Sequence, residues 1–232
     1  MRVKCYQCFR PRLHCLCSSI PKIDTKIKFI ILIHPKEAKK ERLGTGRIVK
    51  QALLNSEMIM GVDFTTDPMV NHYLDNQKFR PFLMYPGEAP QKVAQFKDQL
   101  HDPREIIIFI LDGTWPFAKK MLRKSKNLQT IPRITITIKG ESNFRIKQQP
   151  DSACLCTLEA VVQFLDECEE SELEKLNGVQ KNLLETFEKL VKFQEDCALD
   201  PNKQGYRKGE YKTSEQKTPS KKWLQYGIFY KG

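Results

Sequence analysis

The sequence contains no long hydrophobic run. Its longest uninterrupted apolar segment is Ile106–Leu111, whereas a membrane-spanning helix needs about 20 predominantly apolar residues. No hydrophobic segment typical of a signal peptide stands near Met1. We therefore expect a cytoplasmic protein that has no membrane partner. In that compartment, the eight cysteines indicate metal or thiol chemistry in preference to disulfides.

Acidic residues are scarce relative to basic ones. The 232 residues include 28 acids against 39 Lys and Arg, which gives a formal net charge of +11. This excess favours a polyanionic partner, with nucleic acid ahead of an acidic membrane surface. The apolar fraction of 40% is sufficient for a buried core. The length therefore predicts one domain of ordinary size with appendages.

Four cysteines near the N-terminus form two close pairs: Cys5, Cys8, Cys15 and Cys17. Four thiolates satisfy a tetrahedral structural Zn²⁺ site, and two short pairs on turns can converge without much supporting fold. The second pair has a tighter spacing than zinc ribbons usually show, and C-x-x-C also occurs in redox sites, so a thiol-redox role stays open. Between the pairs, Arg10, Arg12 and His14 form a basic knuckle that could contact phosphates.

The segment Ile106–Leu111 predicts a strand buried on both faces, because all of its residues are apolar and most are β-branched or aromatic. The strand stops at Asp112, and Pro116 then indicates the start of a helix. In open α/β sheets, ligands bind beyond the carboxyl ends of the strands. Asp112 to Trp115 is therefore the first candidate for a binding or catalytic loop. A helix-capping acid followed by a core tryptophan is the alternative, and the local pattern leaves both open.

Further apolar segments extend the α/β pattern. They predict strands at Lys26–Ile33, Arg80–Met84 and Arg133–Ile138. Helical spacing predicts helices at Ile48–Leu54, Gln91–Leu100, Leu158–Leu165 and Glu172–Cys197, with Thr157 as a candidate N-cap. The glycines of Gly44-Thr45-Gly46 are similar to a phosphate cradle, but the six-residue fingerprint is missing.

Several short motifs follow one another between Cys5 and about Leu165: C-x2-C…C-x-C, His34-Pro35-x-Glu37, Thr45-Gly46-Arg47, Tyr85-Pro86-Gly87, Asp112-Gly113-Thr114-Trp115, Ser142-x-x-Arg145 and Thr157-Leu158-Glu159-Ala160. Together they resemble the DTW-domain family of tRNA-uridine aminocarboxypropyltransferases. The resemblance implies an S-adenosylmethionine-dependent enzyme with a SPOUT-like, knotted α/β fold. Glu141, Phe144 and Cys156 depart from it, since the family often has proline, tyrosine and serine there. Phe144 lacks the hydroxyl through which a tyrosine could form a hydrogen bond.

The resemblance also implies roles for individual residues. Asp112 is expected to accept the N3 proton of a tRNA uridine, which would raise the rate roughly 10²–10⁴-fold. Residues expected to hold S-adenosylmethionine are Leu83, Tyr85, Pro86, Gly87, Leu111, Gly113, Thr114, Trp115 and Thr157. Residues expected to contact tRNA are Arg10, Arg12, Arg42, Arg47, Ser142 and Arg145. For Arg42 and Arg47, a solvated surface charge is the default without that support.

We expect three units: a zinc knuckle at residues 1–22, a DTW catalytic domain at residues 23–198 and a basic tail at residues 199–232. In the tail, a polar arm from Gln204 to Lys222 precedes aromatic residues from Trp223 to Tyr230 that we expect to dock on the body.

Two other functions stay open at this point. One is an S-adenosylmethionine-dependent RNA methyltransferase, and the other is a zinc-containing RNA-binding module without catalysis.

Overall fold

A parallel β-sheet with helices on both faces forms the body of the protein. The computed structural model describes residues 5–8, 10–40, 44–87, 89–99, 102–146, 154–200 and 202. Within them, six strands pair in the order β2-β1-β5-β3-β6-β4, and all the pairs are parallel. The strands are β1 Lys28–Ile33, β2 Ser56–Met60, β3 Phe79–Met84, β4 Gln91–Lys92, β5 Glu105–Asp112 and β6 Arg133–Thr135.

Strand β5 lies in the interior of the sheet, between β1 and β3. Ile107, Ile108 and Phe109 are fully buried, because helices cover both faces of a parallel sheet and leave no side of a central strand in water. The ends of β1 and β5 are aligned, since Ile33 is the register partner of Asp112. The pairing of β1 with β5 therefore fixes the position of Asp112 at the carboxyl-terminal edge of the sheet.

Seven α-helices connect and cover the described strands: α1 Pro35–Lys40, α2 Thr45–Ala52, α3 Pro68–Asp75, α4 Trp115–Lys124, α5 Lys126–Gln129, α6 Thr157–Glu170 and α7 Asn182–Leu199. Buried residues of α2, α6 and α7 share one hydrophobic cluster. Buried residues of α3, α4 and α5 share a second one. Side chains from alternate positions of β1 and β5 enter both clusters. These two strands therefore separate two cores.

The strands predicted at Lys26–Ile33, Arg80–Met84 and Ile106–Leu111 are confirmed. The strand predicted at Arg133–Ile138 is shorter and ends at Thr135. Beyond that point the backbone binds α6 instead of a neighbouring strand, because the amide of Thr137 donates to a carboxylate oxygen of Glu167 at 2.5 Å. The residues that follow β6 therefore form a wall between the sheet and α6.

Two helix predictions are wrong. The single helix predicted at Glu172–Cys197 starts only at Asn182, because the chain turns first through the left-handed residues Glu172, Asn177 and Gly178. The surface helix predicted at Gln91–Leu100 is replaced by β4 and a 3₁₀ helix, Val93–Gln99. That segment packs Val93 and Phe96 into the core. Strand β2 and helix α3 were not predicted.

No helix among the described residues has the length and apolar character that a membrane crossing requires. The predicted polar arm and aromatic end of the tail lie outside the described residues.

Candidate active site and cysteine cluster

A pocket of about 230 Å³ opens beyond the carboxyl ends of β3 and β5. It contains most of the site residues predicted from sequence: Tyr85, Pro86, Leu111, Asp112, Gly113, Thr114, Trp115 and Thr157. Apolar residues from the chain after β3 and β5 and from the segment after β6 complete the walls. The Tyr85-Pro86 and Asp112-to-Trp115 motifs thus lie together with the start of α6, at the sheet edge where α/β proteins usually bind ligands.

Asp112 is only 4% exposed, and its carboxylate is held by hydrogen bonding. The hydroxyl of Thr157 donates to Oδ1 of Asp112 at 2.6 Å. The backbone carbonyl of Asp112 accepts from the amide of His34 at 3.0 Å, which attaches the end of β5 to the end of β1. The prediction that Thr157 is the N-cap of α6 is wrong, because Cys156 occupies that position and Thr157 is the first helical residue.

Gly46 lies directly against the Asp112 carboxylate. A Cβ atom at position 46 would lie 2.4 Å from both Cγ and Oδ2 of Asp112, which is closer than real Cβ contacts come. Gly46 is the second residue of α2, so the first turn of that helix covers the acid. The Gly44-Thr45-Gly46 segment therefore packs on Asp112, and this contact explains the glycine at position 46 without a phosphate cradle.

Three helices begin around this carboxylate. The first residues of α2, α4 and α6 are Thr45, Trp115 and Thr157, and all three line the pocket with Asp112. The N-terminus of a helix carries partial positive charge from unpaired backbone amides and the aligned peptide dipoles. Their convergence places partial positive charge around the Asp112 side chain.

The other described pocket residue that carries a charge is Glu37, from the first turn of α1. No lysine or arginine is among the described residues that line the pocket. Glu37 belongs to the His34-Pro35-x-Glu37 motif, but no role was predicted for it. The position of Phe144 and of the apolar wall after β6 in the pocket was not predicted, because nothing local to those residues indicates that they face the end of β5.

Two of the predicted cofactor residues do not line the pocket. Leu83 is fully buried in the core on the side of α3 and α4. Gly87 packs on Arg133, where an added Cβ would lie 2.8 Å from the Cγ atom of that side chain. The aromatic rings of Tyr85 and Trp115, in contrast, lie at the pocket with a centroid separation of 6.1 Å.

His34, at the end of β1, packs against the start of α4, which follows the Asp112 loop. Its ring stacks on Phe117 at a centroid distance of 4.0 Å, and its Nδ1 accepts from the amide of Lys36. Burial, together with the positive charges of Lys120 and Lys36, lowers the pKa of His34. The ring is therefore neutral near pH 7 and can accept that hydrogen bond.

Ser142 and the segment around it are attached to α6 by a buried acid. Glu159 accepts from the hydroxyl of Ser142 at 2.7 Å, from the amide of Asn143 at 2.6 Å and from the amide of Cys156 at 2.9 Å. The last of these bonds belongs to a capping box at the start of α6. Ser142, which we expected to contact RNA, thus has an internal partner that fixes the loop beside the pocket.

The arginines expected to contact RNA differ in their surroundings. Arg12 is exposed, whereas Arg10 is 8% exposed. Arg145 binds Glu188 and Glu195 of α7 at 2.8 and 2.9 Å, and these carboxylates raise its pKa. Arg47 lies in the first turn of α2, and Arg42 lies outside the described residues.

The four N-terminal cysteines converge on one point. All four sulfur atoms lie within 4.8 Å of one another. The distances from Cys5 to Cys17 and from Cys8 to Cys15 are 3.7 and 3.8 Å. A tetrahedral zinc ion with Zn–S bonds of about 2.3 Å separates its sulfur ligands by about 3.8 Å. The arrangement therefore fits a four-coordinate metal ion.

The cysteine cluster is joined to α2 by Gln51. The thiol of Cys17 lies 3.2 Å from Oε1 of Gln51, and the amide nitrogen of the same side chain donates to the carbonyl of Gln7. Hydrogen bonds from the backbone of Cys8 and Gln7 lower the pKa of Cys5 to about 6, whereas burial raises that of Cys17. Binding of a metal requires all four as thiolates, so it would couple with deprotonation.

Comparisons with known proteins agree with the family resemblance. The model of the DTW domain matches residues 2–195. A tRNA-uridine aminocarboxypropyltransferase 2 of Drosophila melanogaster is 27% identical over 203 residues, which cover 84% of this chain and 76% of the relative. The enzyme of the same name from Macaca fascicularis is 30% identical over 83% of this chain and 64% of its own length.

A tRNA-uridine aminocarboxypropyltransferase A of Arabidopsis thaliana is 24% identical over 225 residues, 82% of this chain and 80% of the relative. No solved structure gives a significant match. Because the family model spans most of the chain, including the cysteine cluster and all the segments that form the pocket, this protein belongs to the DTW-domain family.

Proposed function

We propose that this protein transfers the 3-amino-3-carboxypropyl group of S-adenosylmethionine to N3 of a uridine in tRNA. The observation that carries the proposal is the buried Asp112 carboxylate, which stands in a pocket formed by the segments that hold the family motifs. The names of the relatives supply the reaction and the tRNA substrate. In this reaction a carboxylate can accept the proton of the nucleophile. A module that only binds polyanionic RNA needs no carboxylate in its binding site.

The pocket suits S-adenosylmethionine in its charge. This molecule carries a sulfonium cation, and the described charged residues of the pocket, Asp112 and Glu37, are both acidic. Trp115 and Tyr85 offer aromatic surface for the adenine ring, and apolar residues from Ile134 to Ile138 can cover the ribose. Backbone amides at the helix N-termini are the available donors for the carboxylate of the amino-acid part.

The role of Asp112 is to accept a proton. The N3 atom of uridine is a weak nucleophile while it carries its hydrogen, so a carboxylate within hydrogen-bond reach assists attack. S-adenosylmethionine supplies the aminocarboxypropyl group and leaves as methylthioadenosine. As the N3–carbon bond forms and the carbon–sulfur bond breaks, the N3 proton passes to Asp112, which later returns it to solvent.

Other residues act by holding Asp112. Thr157 fixes one carboxylate oxygen, and Gly46 closes the space above the carboxyl carbon. Since a sulfonium has three electrophilic carbons, the outcome of the reaction depends on which carbon faces N3. A carboxylate that is held in a single orientation places N3 opposite only one of these three carbons. We therefore assign Thr157 to positioning Asp112, in addition to lining the pocket.

We also propose that the cysteine cluster holds one structural Zn²⁺ through Cys5, Cys8, Cys15 and Cys17. The sulfur separations near 3.8 Å support a tetrahedral site. All four positions are cysteines, so no ligand position is left for water, as is typical of structural zinc. On this basis residues 1–22 are a zinc knuckle, residues 23–198 the catalytic domain and residues 199–232 a basic tail.

For tRNA we propose contacts at exposed Arg12 and at Arg47, with the C-terminal lysines adding charge. About five phosphate contacts would give a slope of log affinity against log salt of roughly −3 to −5.

We further propose that the parallel sheet has the SPOUT-like knotted connection that the family resemblance implies, and that the protein works in the cytoplasm. A ligand pocket at the carboxyl ends of parallel strands is compatible with that fold.

One experiment tests the reaction directly. The protein is incubated with S-adenosylmethionine and tRNA that lacks the modification, and the digested nucleosides are analysed by mass spectrometry. We expect a uridine enlarged by the aminocarboxypropyl group, together with methylthioadenosine in equal amount. A methylated uridine with S-adenosylhomocysteine would instead identify a methyltransferase. Tight tRNA binding with unchanged nucleosides would identify a binding module.

A further inference from the structure

Arg10 lies inside the zinc knuckle and not on its surface. It follows Cys8 by two residues, and its carbonyl accepts from the amide of Cys5 at 2.7 Å, which closes the first cysteine loop. The whole residue is only 8% exposed. A fully charged guanidinium is rarely buried to this degree without a partner of opposite charge.

The Arg10 side chain borders the cysteine cluster. It lines the same cleft as Cys15 and the α7 residues Leu190 and Phe193. Its Nη1 atom is buried and has no hydrogen-bond partner among the described residues. Burial lowers the pKa of Arg10, and negative charge at Cys8, Cys17 and Cys15 opposes that shift. Thiolates in the cysteine cluster would therefore place negative charge beside this guanidinium.

The charges of the two groups are complementary. A Zn²⁺ ion with four thiolates has a net charge of −2, and enclosing that charge in protein is unfavourable unless a cation lies close by. A buried guanidinium has the opposite requirement. Arg12, two residues further along the chain, is exposed and interacts with solvent instead. Only one of these neighbouring arginines is thus suited to stabilise the metal-bound thiolates.

We infer that Arg10 is a positioning residue of the zinc site, where its buried guanidinium offsets the charge of the four thiolates and keeps the ion bound. This replaces the tRNA contact that the sequence suggested for Arg10. The inference rests on the proposed zinc site and is independent of the proposed transferase activity.

The test compares full-length, zinc-loaded protein with three variants. Arg10→Met keeps the length of the side chain without its charge, Arg10→Lys keeps a charge, and Arg12→Met is the exposed control. Zinc affinity is measured by competition with a chromophoric chelator. We expect Arg10→Met to weaken zinc binding roughly 10–100-fold, the usual effect of losing a residue that contacts metal ligands. Arg10→Lys should recover most of the loss, and Arg12→Met should match the wild type.

A spectroscopic measurement separates this electrostatic role from a packing role. In cobalt-loaded protein, removing a positive charge beside the thiolates should shift the thiolate-to-cobalt charge-transfer absorption to lower energy in Arg10→Met, and Arg10→Lys should restore it. A packing role alone would leave that band in place.

Three results would overturn the inference. The first is equal zinc affinity in Arg10→Met and wild type. The second is unchanged zinc affinity with a tRNA salt slope reduced by about one, which would make Arg10 a phosphate contact. The third is wild-type protein that binds no zinc, which would remove the zinc site as well. None of these results depends on transferase activity, so a failure of the proposed reaction would be recognised separately by product mass.

Discussion

The Asp112 pocket and the cysteine cluster fix their functional side chains in different ways. Asp112 ends a strand that is buried between two neighbours, and three helices begin around it. Cys5 and Cys8 lie in a turn, Cys15 follows the 3₁₀ helix Arg12–His14, and Cys17 begins a second one, Cys17–Ser19; neither 3₁₀ helix contains a buried residue. Packing therefore holds the pocket, whereas the knuckle would gain much of its order from the proposed zinc ion. Mutations should consequently affect the two regions independently.

The largest effect is expected from Asp112→Asn. The amide keeps an oxygen that can accept from Thr157, but it cannot take up the N3 proton. We predict a loss of roughly 10²–10⁴-fold in kcat, with S-adenosylmethionine affinity and zinc content nearly unchanged. Single-turnover rates and calorimetric binding measure the two quantities. Near-normal turnover would remove Asp112 as the base, and an equal loss of cofactor affinity would make it a binding residue.

Gly46→Ala tests whether packing positions the acid. The added methyl group would overlap the Asp112 carboxylate, and a displacement of about 1 Å at a reacting group can reduce the rate about 100-fold. Gly61→Ala is the matched control, because its Cβ would meet the Phe64 ring at 2.6 Å away from the pocket. We expect both variants to melt at lower temperature and only Gly46→Ala to lose activity in the folded fraction. Equal activity in the two would contradict the positioning role of Gly46.

Thr157→Val removes the hydroxyl and preserves the shape of the side chain. A hydrogen bond to a charged group contributes about 1.5–3 kcal/mol, which corresponds to roughly a tenfold to hundredfold change in kcat/KM if the bond is needed in the transition state. Thr186→Val removes the hydroxyl of a buried residue, which donates to the carbonyl of Ser19. That control should lower stability without lowering kcat/KM. The assignment would fail if the two variants had the same activity.

Of the variants considered, Cys8→Ser should affect the Asp112 pocket least, because it changes only the cysteine cluster. We predict that the variant loses most of its zinc and binds tRNA more weakly, while S-adenosylmethionine affinity changes little. Metal analysis and two binding titrations provide these values. A parallel loss of cofactor affinity would mean that the contact between Cys17 and Gln51 on α2 transmits the state of the knuckle to the pocket.

The sequence was sufficient to predict the parts of the fold that depend on local pattern. The runs at Lys26–Ile33 and Ile106–Leu111 are apolar at every position or nearly so, which is typical of parallel strands buried on both faces. Helix α3 also had a local signal that was overlooked. Asp67 caps it by accepting from the amides of Met69 and Val70, and Pro68 starts it.

The details of the site could not be predicted because they depend on contacts between distant residues. Thr157 and Asp112 are 45 positions apart, so an isolated helix start cannot indicate that its hydroxyl binds the Asp112 carboxylate. The burial of Arg10 likewise depends on how the cysteine loops close against α7. In each case the residue type was noticed in the sequence, but its partner is determined by the tertiary fold.

The distance along the chain between Asp112 and Thr157 also has a consequence for synthesis on the ribosome. At about 5–20 residues per second, the 45 residues from Gly113 to Thr157 take about 2–9 s to translate. During that interval β1, β3 and β5 have already been made, but α6 and α7 are absent, and the face of the sheet that they cover remains exposed. A nascent chain that stalls before α6 is therefore a species with an incomplete active site and a bare apolar surface, which makes it a natural client for a chaperone.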